Sequence, residues 1–286
     1  MWRSRSLRLR AAEAPANSQV PTGYSTNGFL LGAFGAMTYC VGMLLDSGLV
    51  FLGDSRTHAG VDQVSTFRKV TIFERPGERV FVLMSSGNLA ISQALLNVVR
   101  EQIENAGEHS LYAVSNMFDA ARCIGDALRV IHRRDGEALK EHSVEFNSSF
   151  IFGGQISGEP PRLFCIYAAG NFIEATSDTL YFQIGESKYG KPIIDRVVTR
   201  GTGLAEAAKC ALISMDSTIR SNLTVGPPLD LVSVKSDALR IHSHVSIDED
   251  HAYFQMVRKG WSESLRHAFQ ALPNPDWLNA DQGQVK

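Results

Sequence analysis

Thr38 follows Met37 and opens a run of alternating, β-forming residues, Thr38–Leu45 (TYCVGMLL). Removing a methionine ahead of a small residue would leave this threonine at a chain terminus, its hydroxyl beside its own α-amine. A terminal amine has a reference pKa of about 7.7–8.0, against about 10.4 for lysine, so it can take a proton near neutral pH. One residue then holds a nucleophile and its base. Taken alone, Thr38 is far better explained as a β-former at the start of a strand. Two further residues give it company: Asp54 closes the next strand-like run and Lys69 opens another. Taken by themselves they read as a surface ion pair, worth only roughly 0–1 kcal/mol.

Patterning predicts the elements that must hold these residues. Thr38–Leu45, the turn signal Asp46-Ser47-Gly48 and Leu49–Leu52 predict a hairpin ending at Gly53-Asp54. Lys69–Phe73, a turn at Pro76-Gly77 and Val80–Met84 predict a second hairpin. The period then switches. Ala94, Leu95, Val98, Val99 and Ile103 recur at three- and four-residue spacing and predict a helix over 87–106, and a second helix is expected over 110–133. Strands are expected over 144–153, 162–167, 172–174 and 181–184, and helices over 190–198 and 203–220. Late strands over 229–234, 239–245 and 253–257 and a last helix over 262–272 complete the pattern. Strands and helices in segregated runs argue α+β, with two stacked sheets and helix pairs outside them.

Composition narrows the functions. The chain has 286 residues, 44% hydrophobic and 20% charged, ordinary for a globular protein with a sizeable core. Lys and Arg number 28 against 30 Asp and Glu, so no strong field favours nucleic acid or an anionic membrane. No apolar run approaches the roughly 18 residues of a membrane helix. Cys40, Cys123, Cys165 and Cys210 are scattered without a CxxC, which suits a reducing cytosol and a cytoplasmic location. Residues 1–37 carry Arg3, Arg5, Arg8 and Arg10 and then Ala, Pro, Ser, Asn and Gly without a period. They are expected to be an unstructured leader or an upstream extension, with translation starting at Met37, and 38–286 one domain.

The motifs taken together carry a resemblance. Met-Thr-Tyr-Cys-Val-Gly, then Gly53-Asp54-Ser55-Arg56-Thr57, then Phe67-Arg68-Lys69-Val70 resemble the N-terminal half of proteasome-type β-subunits, which are N-terminal-nucleophile (Ntn) hydrolases. More narrowly, MTYCVGMLLDSGLVF, DSRTHAGVDQVSTFRKV, QIGESKYGKPIIDR and DSTIRSNLTVG resemble Anbu, the bacterial ancestral β-subunit family, across essentially all of 38–286. The resemblance implies a four-layer αββα sandwich with Thr38 as nucleophile. It implies Lys69 beside it, lowering the pKa of hydroxyl and amine, with Asp54 holding Lys69. A backbone N–H of Ser86 or Gly87 would bind the oxyanion, where the second hairpin turns into the first helix. Ser85-Ser86 as a helix cap is the plainer reading. Glu186 or Ser187 would flank the amine, and Asp216 with Ser221 would supply an acid and a hydroxyl near it. The implied function is a threonine peptidase acting on peptides or unfolded protein through an acyl-enzyme. It implies a homo-oligomeric ring or open helical ring, an unknown ATPase unfoldase as a partner, and no metal or organic cofactor. A weakly active structural or binding ring and an Ntn amidase of a small amide are the alternatives.

Three other patterns are set aside. Gly185-Glu186-Ser187-Lys188-Tyr189-Gly190-Lys191 fits GxxxxGK, but Pro192 stands where a P-loop needs Ser or Thr. His242 and His244, with Asp248, Asp250 and His251 downstream, read as a solvated strand end rather than a metal site. Cys40 shares the Thr38 strand face and reads as a small buried hydrophobe.

Overall fold

The computed structural model describes residues 38–58, 64–105 and 107–278; the expected leader lies outside them. Strands β1 (Tyr39–Leu45) and β2 (Gly48–Asp54) form the first hairpin. A small ribbon, β3 (Arg56–His58) with β4 (Val64–Thr66), follows; the sequence reading did not foresee it. Then come β5 (Val70–Arg75), β6 (Arg79–Gly87), helix α1 (Leu89–Glu104) and helix α2 (Met117–Glu141). Strands β7 (Ser148–Ile156), β8 (Arg162–Ile166), β9 (Phe172–Glu174) and β10 (Tyr181–Gly185) precede helices α3 (Ser187–Val197) and α4 (Leu204–Ser221). Strands β11 (Leu229–Lys235) and β12 (Ile241–Ile247) and helix α5 (Ala252–Ala271) end the order.

Two five-stranded antiparallel sheets result. The first has the order β10-β1-β2-β11-β12 and the second β5-β6-β7-β8-β9. Alternation along β1 explains how three layers of core arise. Tyr39, Val41, Met43 and Leu45 pack with Ala207, Ala211 and Met215 of α4 and Phe254 of α5. Cys40 and Leu44 point the other way, to Val82 and Met84 of β6 and Ile151 of β7. On the far side of the second sheet, Phe81, Phe150 and Phe152 meet Leu95 of α1 and Ile124 and Leu128 of α2. Each fully buried Val, Leu, Ile, Phe or Met among them contributes about 1.5–3 kcal/mol relative to exposure. Among the described residues no helix is long and apolar enough to cross a membrane.

Four expectations need correction. Tyr253–Val257 is not a strand; it is the first turn and a half of α5, which also absorbs the helix expected over 262–272. Phe254 and Val257, three apart, are its buried residues. Helix α2 starts seven residues late and runs to Glu141. Asn116 caps it by accepting from Asp119 N at 2.8 Å, while Asp119 Oδ2 accepts from Asn116 Nδ2 at 2.8 Å. Helix α1 is capped by Asn88, whose side chain accepts from Ala90 N, so Ser85 and Ser86 are strand residues and not caps. Lys69 lies just before β5 rather than in it.

Candidate active site

The strand period puts Thr38 in register with Cys40 and so on the face between the sheets, where β6 ends opposite it. Thr38 is buried, and its carbonyl accepts from Glu186 N at 2.7 Å, which pins the start of β1 to the start of α3. That contact demands a glycine before Glu186. Gly185 has φ +82°, and a Cβ there would lie 1.7 Å from the Thr38 carbonyl oxygen. The same point is 3.3 Å from Ser86 Oγ, so Ser86, Gly185 and Thr38 meet at one spot.

Asp54 and Lys69 are joined to β1 at the next residue, Tyr39. Lys69 Nζ donates to Asp54 Oδ1 at 2.8 Å and to the Arg56 carbonyl at 2.6 Å. Asp54 Oδ1 also accepts from the backbone N–H of Tyr39 at 3.0 Å. One carboxylate oxygen therefore ties the lysine to the residue next to Thr38. The ammonium and the Tyr39 nitrogen are no farther apart than those 2.8 and 3.0 Å laid end to end. Both partners are buried, Lys69 at 6% exposure and Asp54 at 0%. Burial pushes the Asp54 carboxyl above its ordinary value, while the Lys69 ammonium and the Tyr39 and Gly226 N–H groups pull it back down. Ser85 N donates to the Lys69 carbonyl at 3.1 Å, which joins the end of β6 to the lysine.

Gly87, also at the end of β6, has φ +103°, and a Cβ there would sit 2.3 Å from the Asn147 carbonyl. Glu186 places its backbone at Thr38, but its side chain pairs with Lys188 at 3.3 Å; Ser187 is the first residue of α3. Asp216 lies in α4, and Ser221 is its last residue. Asp216 is buried, and its carboxylate takes Arg220 Nε at 2.9 Å and Arg258 Nε of α5 at 2.7 Å. Ser221 is exposed and donates to the Ser217 carbonyl. No contact found for either among the described residues leads to Thr38.

Sequence reasoning missed the other face of β1. The Tyr39 hydroxyl bonds Ser214 Oγ of α4 and accepts from Gln183 Nε2 of β10. Two residues along a helix is about 200°, so Ser214 facing Tyr39 turns Asp216 away. A tyrosine on an otherwise apolar strand face was the available signal, because a buried hydroxyl requires a partner. Arg56 NH1 donates to the Leu223 carbonyl at 3.0 Å, holding the loop after α4 beside the Lys69 anchor. Burial pushes the Cys40 thiol far up, and Asp54 adds to it, so the thiol stays neutral. Among the described residues no group of three His, Cys, Asp or Glu side chains could hold a metal ion.

Several solved structures are similar. An Anbu (Gly-1) mutant from Hyphomicrobium sp. strain MC1 is 48% identical, with 83% of this chain and 99% of that chain covered and a TM-score of 0.78. Anbu (ancestral beta-subunit) from Yersinia bercovieri is 51% identical over 83% and 98%, with a TM-score of 0.79. The helical assembly of the Anbu complex from Pseudomonas aeruginosa is 47% identical over 83% and 98%, with a TM-score of 0.79. No protein-family model and no curated protein matches the chain.

Proposed function

The chain belongs to the Anbu, or ancestral β-subunit, family, and from that membership and the geometry around Thr38 we propose that it is a threonine-type peptidase subunit with the αββα sandwich of Ntn hydrolases. The observation that carries the reading is the shared oxygen: Asp54 Oδ1 binds both the Lys69 ammonium and the backbone that follows Thr38. The mature subunit begins at Thr38, after removal of 1–37 or initiation at Met37. Its freed α-amine takes the proton as Thr38 Oγ attacks the scissile carbonyl. The buried Lys69 charge stabilises the developing alkoxide, and Asp54 keeps the ammonium aimed. A backbone N–H of the Ser86–Gly87 segment receives the oxyanion. The peptide C–N bond breaks, the amine product leaves with the proton, and water hydrolyses the Thr38 ester. Glu186 and Ser187 flank the amine.

Peptides and unfolded polypeptides are the proposed substrates, and copies of the same chain the proposed partners. The helical assembly of the Pseudomonas aeruginosa relative supports that partner. The test is turnover of casein and fluorogenic peptides by the purified protein. Hydrolysis that disappears in Thr38→Ala supports the reading. Hydrolysis that survives in Thr38→Ala removes it, and turnover confined to small amides would instead make the chain an Ntn amidase.

A further inference from the structure

A cleft of about 680 Å³ opens on the flank of Lys69. Its chain neighbours Arg68 and Val70 form one wall, Gln93, Asn97 and Arg100 of α1 another, and His244 of β12 a third. Gln93, Asn97 and Arg100 stand four and then three residues apart, so one helix face presents them together. Val70 and Cys40 both pack against Gly53 of β2, so Val70 and Gly53 stand between the cleft and Cys40 of the strand that starts at Thr38. His244 is anchored rather than loose. Its Nε2 meets Asp230 Oδ1 at 3.2 Å, and Asp230 Oδ2 accepts from Ser55 Oγ at 3.3 Å, next to Asp54.

The lining holds two arginines and a histidine and no acid. Among the described residues no carboxylate lies within 4.0 Å of Arg68 or Arg100, as is also so of Arg56, Arg133, Arg196, Arg240 and Arg266, but these two share one cleft. Both guanidinium groups are exposed to solvent, and the planar fork of each matches a carboxylate. The Gln93 and Asn97 amides add neutral donors. We propose that this cleft is a subsite for an acidic side chain of the peptide substrate, set a few residues from the scissile bond. The inference rests on the peptidase reading above and adds the substrate class.

Binding tests it without turnover. Assembled full-length Thr38→Ala protein is titrated by fluorescence anisotropy into dye-labelled decapeptides that carry a single Glu, or Gln in its place, at each position. One position is expected to bind at least about tenfold tighter as Glu than as Gln. The Arg68→Gln/Arg100→Gln variant, of unchanged assembly size, brings that ratio to near one, and Arg100→Lys leaves an intermediate ratio. Equal binding of Glu and Gln peptides overturns the subsite, and so does a preference that survives in the double variant. Displacement by free glutarate at the peptide's own concentration would assign the cleft to a small dicarboxylate instead. No peptide binding, beside Thr38-dependent hydrolysis, also overturns the subsite while leaving the peptidase standing.

Discussion

Lys69 and Asp54 illustrate why a pair can matter more than either member. Both are buried, so removing one strands the other as an uncompensated charge, at about 3–5 kcal/mol. Lys69→Met and Asp54→Asn are each expected to lose turnover and that much stability by urea unfolding, while the double variant loses less than their sum. Stability losses that add in full would show that the two do not act as a unit. The thiols give a second check. Burial raises Cys123, Cys165 and Cys210 to about 11, and Cys40 further. A thiol raised in the folded state favours folding fully below its unfolded value near 9, and that contribution fades as pH climbs to about 11. Urea midpoints are therefore expected to fall between pH 9 and 11. At pH 8 the native protein should react slowly with thiol reagents and keep its peptidase activity when they are present. Rapid inhibition would move the nucleophile from Thr38 to a cysteine. At this scale type and spacing marked Thr38, Asp54 and Lys69 as candidates, but their joint role came from the resemblance, because taken alone they read as a strand former and an ion pair. The partners of Asp216, Arg220 and Arg258, were not legible, because helix phase is hidden until Ser214 is seen on Tyr39.

Elements set the site through their ends. The start of β1 is held at the β10–α3 turn by Gly185, so Gly185→Ala must shift the Thr38 carbonyl. It is expected to cost more than about 2 kcal/mol and abolish turnover. Gly77→Ala is the control for backbone strain alone, since Gly77 has φ +80° and nothing within 4 Å of an added Cβ. A Gly185 variant no worse than the Gly77 variant would separate the turn from the site. The hairpins and helix faces were readable because period 2 and period 3.6 are local. Helix α5 was not: Tyr-Phe-Gln-Met-Val has the composition of a strand, and only the docking of Phe254 among α4 residues, with Val257 buried three residues on, decides for helix. The β3–β4 ribbon was missed because three-residue strands carry too little pattern.

For the whole molecule, stacking two sheets face to face brings β1 of one against β6 of the other and so assembles the site between layers. That juxtaposition joins residues far apart in the chain, and no window of sequence states it; it entered the sequence reading only through the resemblance. The assembled state is expected to be many times the mass of one chain by light scattering, and a monomer at working concentration would count against the proposed homo-oligomer. The central claim is that Thr38 offers a hydroxyl and a free amine beside Lys69. A peptide epoxyketone tests both groups at once, because its two electrophilic carbons must be met by a hydroxyl and an amine of the same residue. Peptide-map mass spectrometry of the treated, active protein is predicted to show one adduct on a peptide beginning at Thr38, absent from Lys69→Met and from Thr38→Ala. A fully active protein whose Thr38 nitrogen is still bonded to Met37, or whose label lies elsewhere, would contradict the account.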